Sequence, residues 1–66
     1  MAPEADDIRG RLEAIAEELA DMAMEALREA IEAGERGRPA EERRLTQARR
    51  SVERAASLLR SRDEMP

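Results

Sequence analysis

The 66-residue sequence predicts an all-α fold, an antiparallel two-helix hairpin that dimerises into a four-helix bundle. Three observations lead to this prediction. Charged residues make up 42% of the chain and the hydrophobic set 41%, with no aromatic residue, so the composition is dominated by good helix formers. One cluster of helix breakers, Gly34 to Pro39, divides the chain. On both sides of that cluster, apolar residues recur three and four positions apart, which is the spacing of one helix face.

The first helix is expected to run from about residue 4 to residue 33. Pro3 is tolerated in its first turn, where a missing N–H costs nothing. Gly34 suits the left-handed position that follows the last turn of a helix. Gly10 lies inside the helix and costs about 1 kcal/mol relative to Ala, so the first two turns are expected to be loose. Residues 34–38 are predicted to form the loop.

The second helix is expected to run from about residue 39 to residue 62. Pro39 suits the first helical position because its ring presets φ, and arginines near the other end complement the negative end of the helix dipole. The tail 63–66 is expected to fray. The whole chain, residues 1–66, is predicted to be a single domain.

A heptad pattern runs through both helices and predicts how they pack. Because the loop is short, the two helices are expected to pack antiparallel. We call the residues predicted to form this contact the heptad row: Ala5, Ile8, Leu12, Ile15, Leu19, Met22 and Ala26 in the first helix, and Leu45, Ala48, Val52, Ala55 and Leu59 in the second. Beside it lies an alanine row, Ala16, Ala23 and Ala30, seven residues apart, which would permit close helix approach.

A second apolar row in the first helix predicts an interface with another protein chain. It consists of Ala20, Met24, Leu27 and Ile31, about 110° around the helix from the heptad row. A single partner helix cannot cover both rows, and so small a chain without disulfides or metal usually requires oligomerisation. A homodimer is therefore expected, and the alternative partner for this row is a groove or helix on a different protein. A lone hairpin with scattered surface apolar residues is the remaining alternative.

The charges are divided unevenly between the halves of the chain. Residues 1–33 hold ten acids and three arginines, whereas residues 34–66 hold six acids and nine arginines. An acidic helix is thus expected to face a basic one, with Arg44, Arg49 and Arg60 reaching carboxylates of the first helix. Each exposed ion pair of this kind stabilises the folded chain by only about 0.2 to 1 kcal/mol. Such pairs therefore select which helices pack together more than they stabilise the contact.

An arginine row on the second helix, Arg43, Arg50 and Arg54, could present phosphate contacts. The net charge of −4 and the absence of aromatic residues for base stacking oppose this interpretation. The sequence therefore ranks nucleic-acid binding below protein interaction, and a dimeric nucleic-acid-binding regulator is kept as the alternative function.

The residue types exclude most catalytic chemistry. The chain has no His, Cys, Lys, Trp, Tyr, Phe or Asn, so its few hydroxyl groups have no usual base and no thiolate or imidazole can bind a metal. An acidic row in the first helix is more typical of a solvated face than of a cation site. The longest run without a charge or proline, Ala55 to Leu59, is far too short to span a membrane. We therefore expect a cytoplasmic, non-catalytic interaction or regulatory module without cofactor or metal.

Overall fold

The computed structural model describes residues 4–60 of the chain. It contains two α-helices, α1 (Ala5–Glu32) and α2 (Ala40–Leu58), joined by the loop 33–39. No strand is present in residues 4–60, and the two helices pack against each other. The predicted all-α helical hairpin is therefore confirmed.

The helices run antiparallel and form a thin plate. Residues 4–6 at the start of α1 and residues 58–60 at the end of α2 line one shallow depression, so the two chain ends of the hairpin lie together. The hairpin measures 49 × 28 × 13 Å. Because a helix with its side chains is about 10–12 Å across, the smallest dimension corresponds to a single layer of helices.

The start of α1 is held by backbone hydrogen bonds and acidic side chains. Glu4 is the N-cap with an extended backbone (ψ 155°), and its carbonyl oxygen accepts a hydrogen bond from the amide of Ile8 at 3.2 Å. Asp6 and Asp7 lie in the first turn, where negative charge complements the helix dipole. The helix passes through Gly10 without interruption. Pro3, which was predicted to open this helix, lies outside the described residues.

The end of α1 is a closed glycine turn. Gly34 has a φ of 81°, in the left-handed region, as the sequence predicted. The amide of Gly34 donates to the carbonyl oxygen of Ile31 at 3.0 Å. The amide of Glu35 donates to the carbonyl oxygen of Ala30 at 2.9 Å. These two bonds are the pair that defines a Schellman motif, and they satisfy carbonyl groups that a helix end leaves without partners.

The start of α2 differs from the prediction by one position. Pro39 is not the first helical residue but the N-cap, with φ −66° and an extended ψ of 153°. Its carbonyl oxygen accepts the first helical hydrogen bond, from the amide of Arg43 at 3.1 Å. The proline ring presets φ at a helical value but leaves ψ free, so the same residue suits either position.

The end of α2 comes earlier than predicted. The helix ends at Leu58, and the amides of Leu59 and Arg60 donate to carbonyl groups three residues back, at 3.1 and 3.2 Å, in a tightened last turn. Residues 61 and 62, to which the helix was expected to extend, lie outside the described part of the chain. The tail 63–66 also lies outside it, so its predicted fraying is not addressed.

The alanine row, and not the heptad row, forms the centre of the contact between the helices. Ala16, Ala23 and Ala30 are all buried against α2. In the heptad row, Ile15 and Met22 instead remain 43% and 52% exposed. Leu12, Leu19 and Ala26 are half-buried at the edge of the contact. The predicted contact is therefore correct only in part, because small side chains let the helix axes approach closely and leave the larger ones at the sides.

The contact surface of α2 is also shifted relative to the heptad row. Leu45, Thr46 and Ala56 are buried, while Ala48 and Ala55 of the heptad row are only half-buried. Thr46 is the one buried polar residue among those described. The face that α2 presents to α1 is thus rotated partly away from the heptad row, of which only Leu45 is fully buried in α2.

Candidate interaction surfaces

Two grooves flank the contact between the helices, one on each side of the plate. On one side, Met22 and Ala26 of α1 meet Leu45 of α2. On the other, Ala20 and Met24 of α1 meet a polar segment of α2. The alanine row lies between the two apolar rows of α1, so each row faces a different side of the plate.

The first side carries apolar residues on both helices, and Glu25, Glu29 and Glu41 line the same groove. Helical spacing of three and four residues continues from Met22 and Leu45 along each helix, so the rest of this surface is formed by residues of the heptad row. Apart from the buried Leu45, these side chains are half-buried or exposed. We call this surface the broad apolar face; it consists of Ile8, Ile15, Leu19, Met22 and Ala26 of α1, Leu45, Ala48, Val52 and Ala55 of α2, and Leu59, which follows α2.

The second apolar row lies on the opposite side of the plate. Met24 and Ile31 are the exposed members, at 67% and 64%, whereas Ala20 and Leu27 are half-buried beside α2. The structure thus brings the four predicted interface residues onto one side. Their role as an interface with another chain stays a prediction.

A polar network crosses from the loop into α2 beside the second apolar row. The Nε of Arg38 donates to one carboxylate oxygen of Glu42 at 2.7 Å, and the hydroxyl of Thr46 donates to the other at 2.7 Å. The hydrogen bonds from Arg38 and Thr46 hold the pKa of Glu42 below its ordinary value, and the same contact raises the pKa of Arg38. Sequence reasoning missed this network, although the spacing of four residues between its members was a signal for it.

Several arginines pair within their own helix. Arg28 binds Glu25, and this hydrogen bond lowers the pKa of the Glu25 carboxyl. Arg44 binds Glu41 in α2. Arg44 was expected to reach a carboxylate of α1, so that expectation is wrong; an acid three residues away on the same helix is the nearer partner. Arg49 makes no ion pair within residues 4–60.

The arginine row is exposed, and Arg50 and Arg54 have no acidic partner among the described residues. Arg43 donates to the backbone carbonyl oxygen of Arg38 at 2.7 Å. Arg50 and Arg54, with Gln47 and Ser51, line a shallow depression on the outer side of α2. Two of the three guanidinium groups therefore keep all their donors open to water or to a ligand.

The described part of the chain contains neither a group of metal-ligating side chains nor a candidate membrane span. Within residues 4–60 no group of three or more acidic side chains is placed to hold a metal ion. Over the same residues, neither helix combines the length and apolar character that a membrane-spanning segment needs. Comparison with known protein families, with curated proteins and with solved structures found no match to this chain. The two apolar surfaces and the arginine row are therefore the features from which a function can be argued.

Proposed function

We propose that this hairpin is a non-catalytic interaction module that acts by homodimerising into a four-helix bundle. The observation that carries the proposal is the exposure of large apolar side chains on both sides of a plate one helix thick, namely Ile15, Met22, Met24 and Ile31. Helical domains normally bury such side chains between two layers of secondary structure. A second hairpin would supply the missing layer on one side of the plate.

The dimensions of the chain support the same proposal. It exposes 5523 Å², against about 4,200 Å² for a compact protein of 7.4 kDa. Its radius of gyration is 15.4 Å, against about 11 Å for a compact chain of this length. The excess surface is larger than the roughly 800 Å² that each partner buries in a standard protein interface.

A second copy of the chain is the favoured partner. Symmetric dimers are the commonest oligomers, and four-helix bundles are a frequent closed solution for helical hairpins. Binding to a helix of another protein is the other way in which the same module could act. A cytoplasmic location belongs to the same proposal, because a chain without cysteine has no requirement for an oxidising compartment.

Sedimentation equilibrium tests the proposal. Over about 1 to 100 µM, a range that brackets typical dimer affinities, we expect a species of twice the chain mass of 7.4 kDa. A well-folded monomer throughout that range would contradict homodimerisation. It would leave binding to another protein as the remaining form of the interaction module.

The second candidate function is a nucleic-acid-binding regulator that uses the arginine row. The observation that favours it is the absence of acidic partners for Arg50 and Arg54 within the described residues. The net charge of −4 and the lack of aromatic side chains weigh against it, so we rank it below the interaction module.

Fluorescence anisotropy with random RNA and duplex DNA separates the two functions. We expect weak binding or none at both about 50 mM and about 200 mM salt. The two concentrations identify true phosphate contacts, because the affinity of such contacts falls steeply over this interval. Submicromolar, salt-sensitive binding that Arg50→Ala and Arg54→Ala together abolish would reverse the ranking.

A further inference from the structure

We infer that the dimer closes through the broad apolar face, with α1 of each protomer lying on α2 of its partner and both loops at the same end of the bundle. This inference rests on the proposed homodimerisation and specifies its geometry. It differs from the sequence-based expectation, which assigned self-association to the second apolar row.

The first argument concerns which side of the plate is covered. Met22 of α1 and Leu45 of α2 line one groove of the broad apolar face, so its apolar surface continues across both helices. Three glutamates also line this groove, Glu25, Glu29 and Glu41. Arg28 pairs with Glu25 and Arg44 with Glu41, so two of these carboxylates already have an ion-pair partner. On the other side, the second apolar row is bordered by Glu42 and Arg49 of α2. Covering that side would take the Arg49 guanidinium out of water without an ion-pair partner among the described residues, which is strongly unfavourable.

The second argument concerns side-chain size. The exposed positions of the broad apolar face on α1 are large, with Ile15 and Met22 seven residues apart. The corresponding positions on α2 are small, with Ala48 and Ala55 also seven residues apart. Placing α1 on the partner's α2 sets large side chains against small ones, whereas placing α1 on the partner's α1 sets large against large.

The third argument is charge. Helix α1 holds nine acids and three arginines, whereas α2 holds three acids and five arginines. Placing α1 on the partner's α1 would bring two acidic helices together, and placing it on α2 brings opposite charges together. Complementary charges across an interface select the arrangement even where each pair adds little affinity.

Symmetry converts this pairing into the position of the loops. Two plates can stack face to face about a two-fold axis that runs either along the helices or across them in the interface plane. The axis along the helices places α1 on the partner's α2 and both loops at one end. The axis across the helices places α1 on the partner's α1 and the loops at opposite ends.

Matched substitutions test which face is used. Met22 and Met24 lie two residues apart on opposite sides of the plate, and both are more than half exposed in the hairpin. We expect sedimentation equilibrium to show monomeric Met22→Glu at concentrations where the wild type and Met24→Glu are dimers. Ile15→Glu and Ile31→Glu form a second pair with the same expected contrast.

The outcomes separate this inference from the proposed function. A monomeric wild type would contradict homodimerisation itself. A dimeric wild type that Met24→Glu or Ile31→Glu dissociates as readily as Met22→Glu and Ile15→Glu would overturn only the choice of face. Retention of the dimer by Met22→Glu and Ile15→Glu would overturn that choice equally.

A distance measurement tests how the two hairpins are arranged and leaves the residues of the broad apolar face unsubstituted. The chain has no cysteine, so Arg36→Cys in the exposed loop provides a single site for a spin label. In the dimer, pulsed electron paramagnetic resonance should give a separation under about 25 Å, because packed helices lie about 8–10 Å apart. A separation near 40 Å, about the length of the 28-residue α1, would overturn the arrangement with both loops at one end.

Discussion

Gly34 shows how one residue decides where α1 ends. Its φ of 81° is favourable only for a residue without a Cβ, and the turn it makes satisfies the carbonyl groups of Ala30 and Ile31. A side chain at this position would meet no atom within 4 Å. The requirement for glycine here is therefore conformational and not steric.

We predict that Gly34→Ala lowers the free energy of unfolding by about 1 kcal/mol, because alanine is strained at positive φ. Gly10→Ala should raise it by up to about 1 kcal/mol, because Gly10 is helical and an added Cβ would also meet nothing within 4 Å. Urea denaturation at one fixed protein concentration measures both. Equal effects of the two substitutions would contradict this account.

At the scale of the helices, the alanine row sets the distance between α1 and α2. Ala16, Ala23 and Ala30 are spaced by seven residues, which keeps a small side chain in the contact at every second turn. Larger side chains on either flank of this row stay at the edges of the contact or outside it. The same close approach therefore creates the two apolar surfaces on which the proposed function depends.

We predict that Ala23→Leu destabilises the hairpin by about 1 to 3 kcal/mol, because the added atoms overpack a contact in which Ala23 is buried. Ala14→Leu is the matched control on the same helix, because Ala14 is exposed and because alanine and leucine are both good helix formers. Thermal unfolding followed by circular dichroism measures the difference. A stable Ala23→Leu variant would mean that the helices are held farther apart than the structure shows.

The network of Arg38, Glu42 and Thr46 links the loop to the first turns of α2. Its hydrogen bonds lower the pKa of Glu42 in the folded chain, so folding is favoured by the ionised carboxylate. This contribution is present above the ordinary Glu pKa of 4.5 and is lost as the pH falls through the lower folded value.

We predict that Glu42→Gln removes part of the loss of stability on acidification below about pH 4.5. The measurement is the urea midpoint as a function of pH for the variant and the wild type. Glu35→Gln removes an exposed carboxylate from the loop and serves as the control for the loss of one negative charge. Identical pH profiles for Glu42→Gln and the wild type would show that Glu42 makes no such contribution.

At the scale of the whole molecule, folding and association are expected to be one process. The hairpin is a plate 13 Å thick, and its described core consists of few residues, mostly alanines. A chain of this size gains too little from a single helix contact to be highly stable alone.

We predict that the melting temperature rises with protein concentration, because dimerisation binds the folded state and not the unfolded one. Calorimetry or circular dichroism over a hundredfold range of concentration measures this. Met22→Glu should melt at a lower temperature than the wild type and show no such rise, whereas Met24→Glu should behave as the wild type. A melting temperature independent of concentration would indicate that the monomeric hairpin is sufficient for folding.

The two helices and the connection between them could be predicted from local features of the sequence. Helix-forming composition, periodic apolar residues and the breakers around Gly34 predict two helices joined by a short connection, because these signals are local and depend on backbone preferences. The second apolar row was also predictable, since its four residues share one side of α1 by spacing alone. The position of Pro39 as the N-cap was not, because its ring leaves ψ open.

The face that each helix turns toward the other could not be predicted in the same way, because it depends on how the two helices pack. The heptad pattern of α1 fits Ile15 and Met22 at the contact, yet the alanine row takes that place and these two side chains stay exposed. The apolar arc of α1 is wide enough for more than one line of contact, and the choice depends on how closely two helices can approach. The distance between the helices depends on the side chains of both helices together, so the periodicity of one helix alone cannot predict it.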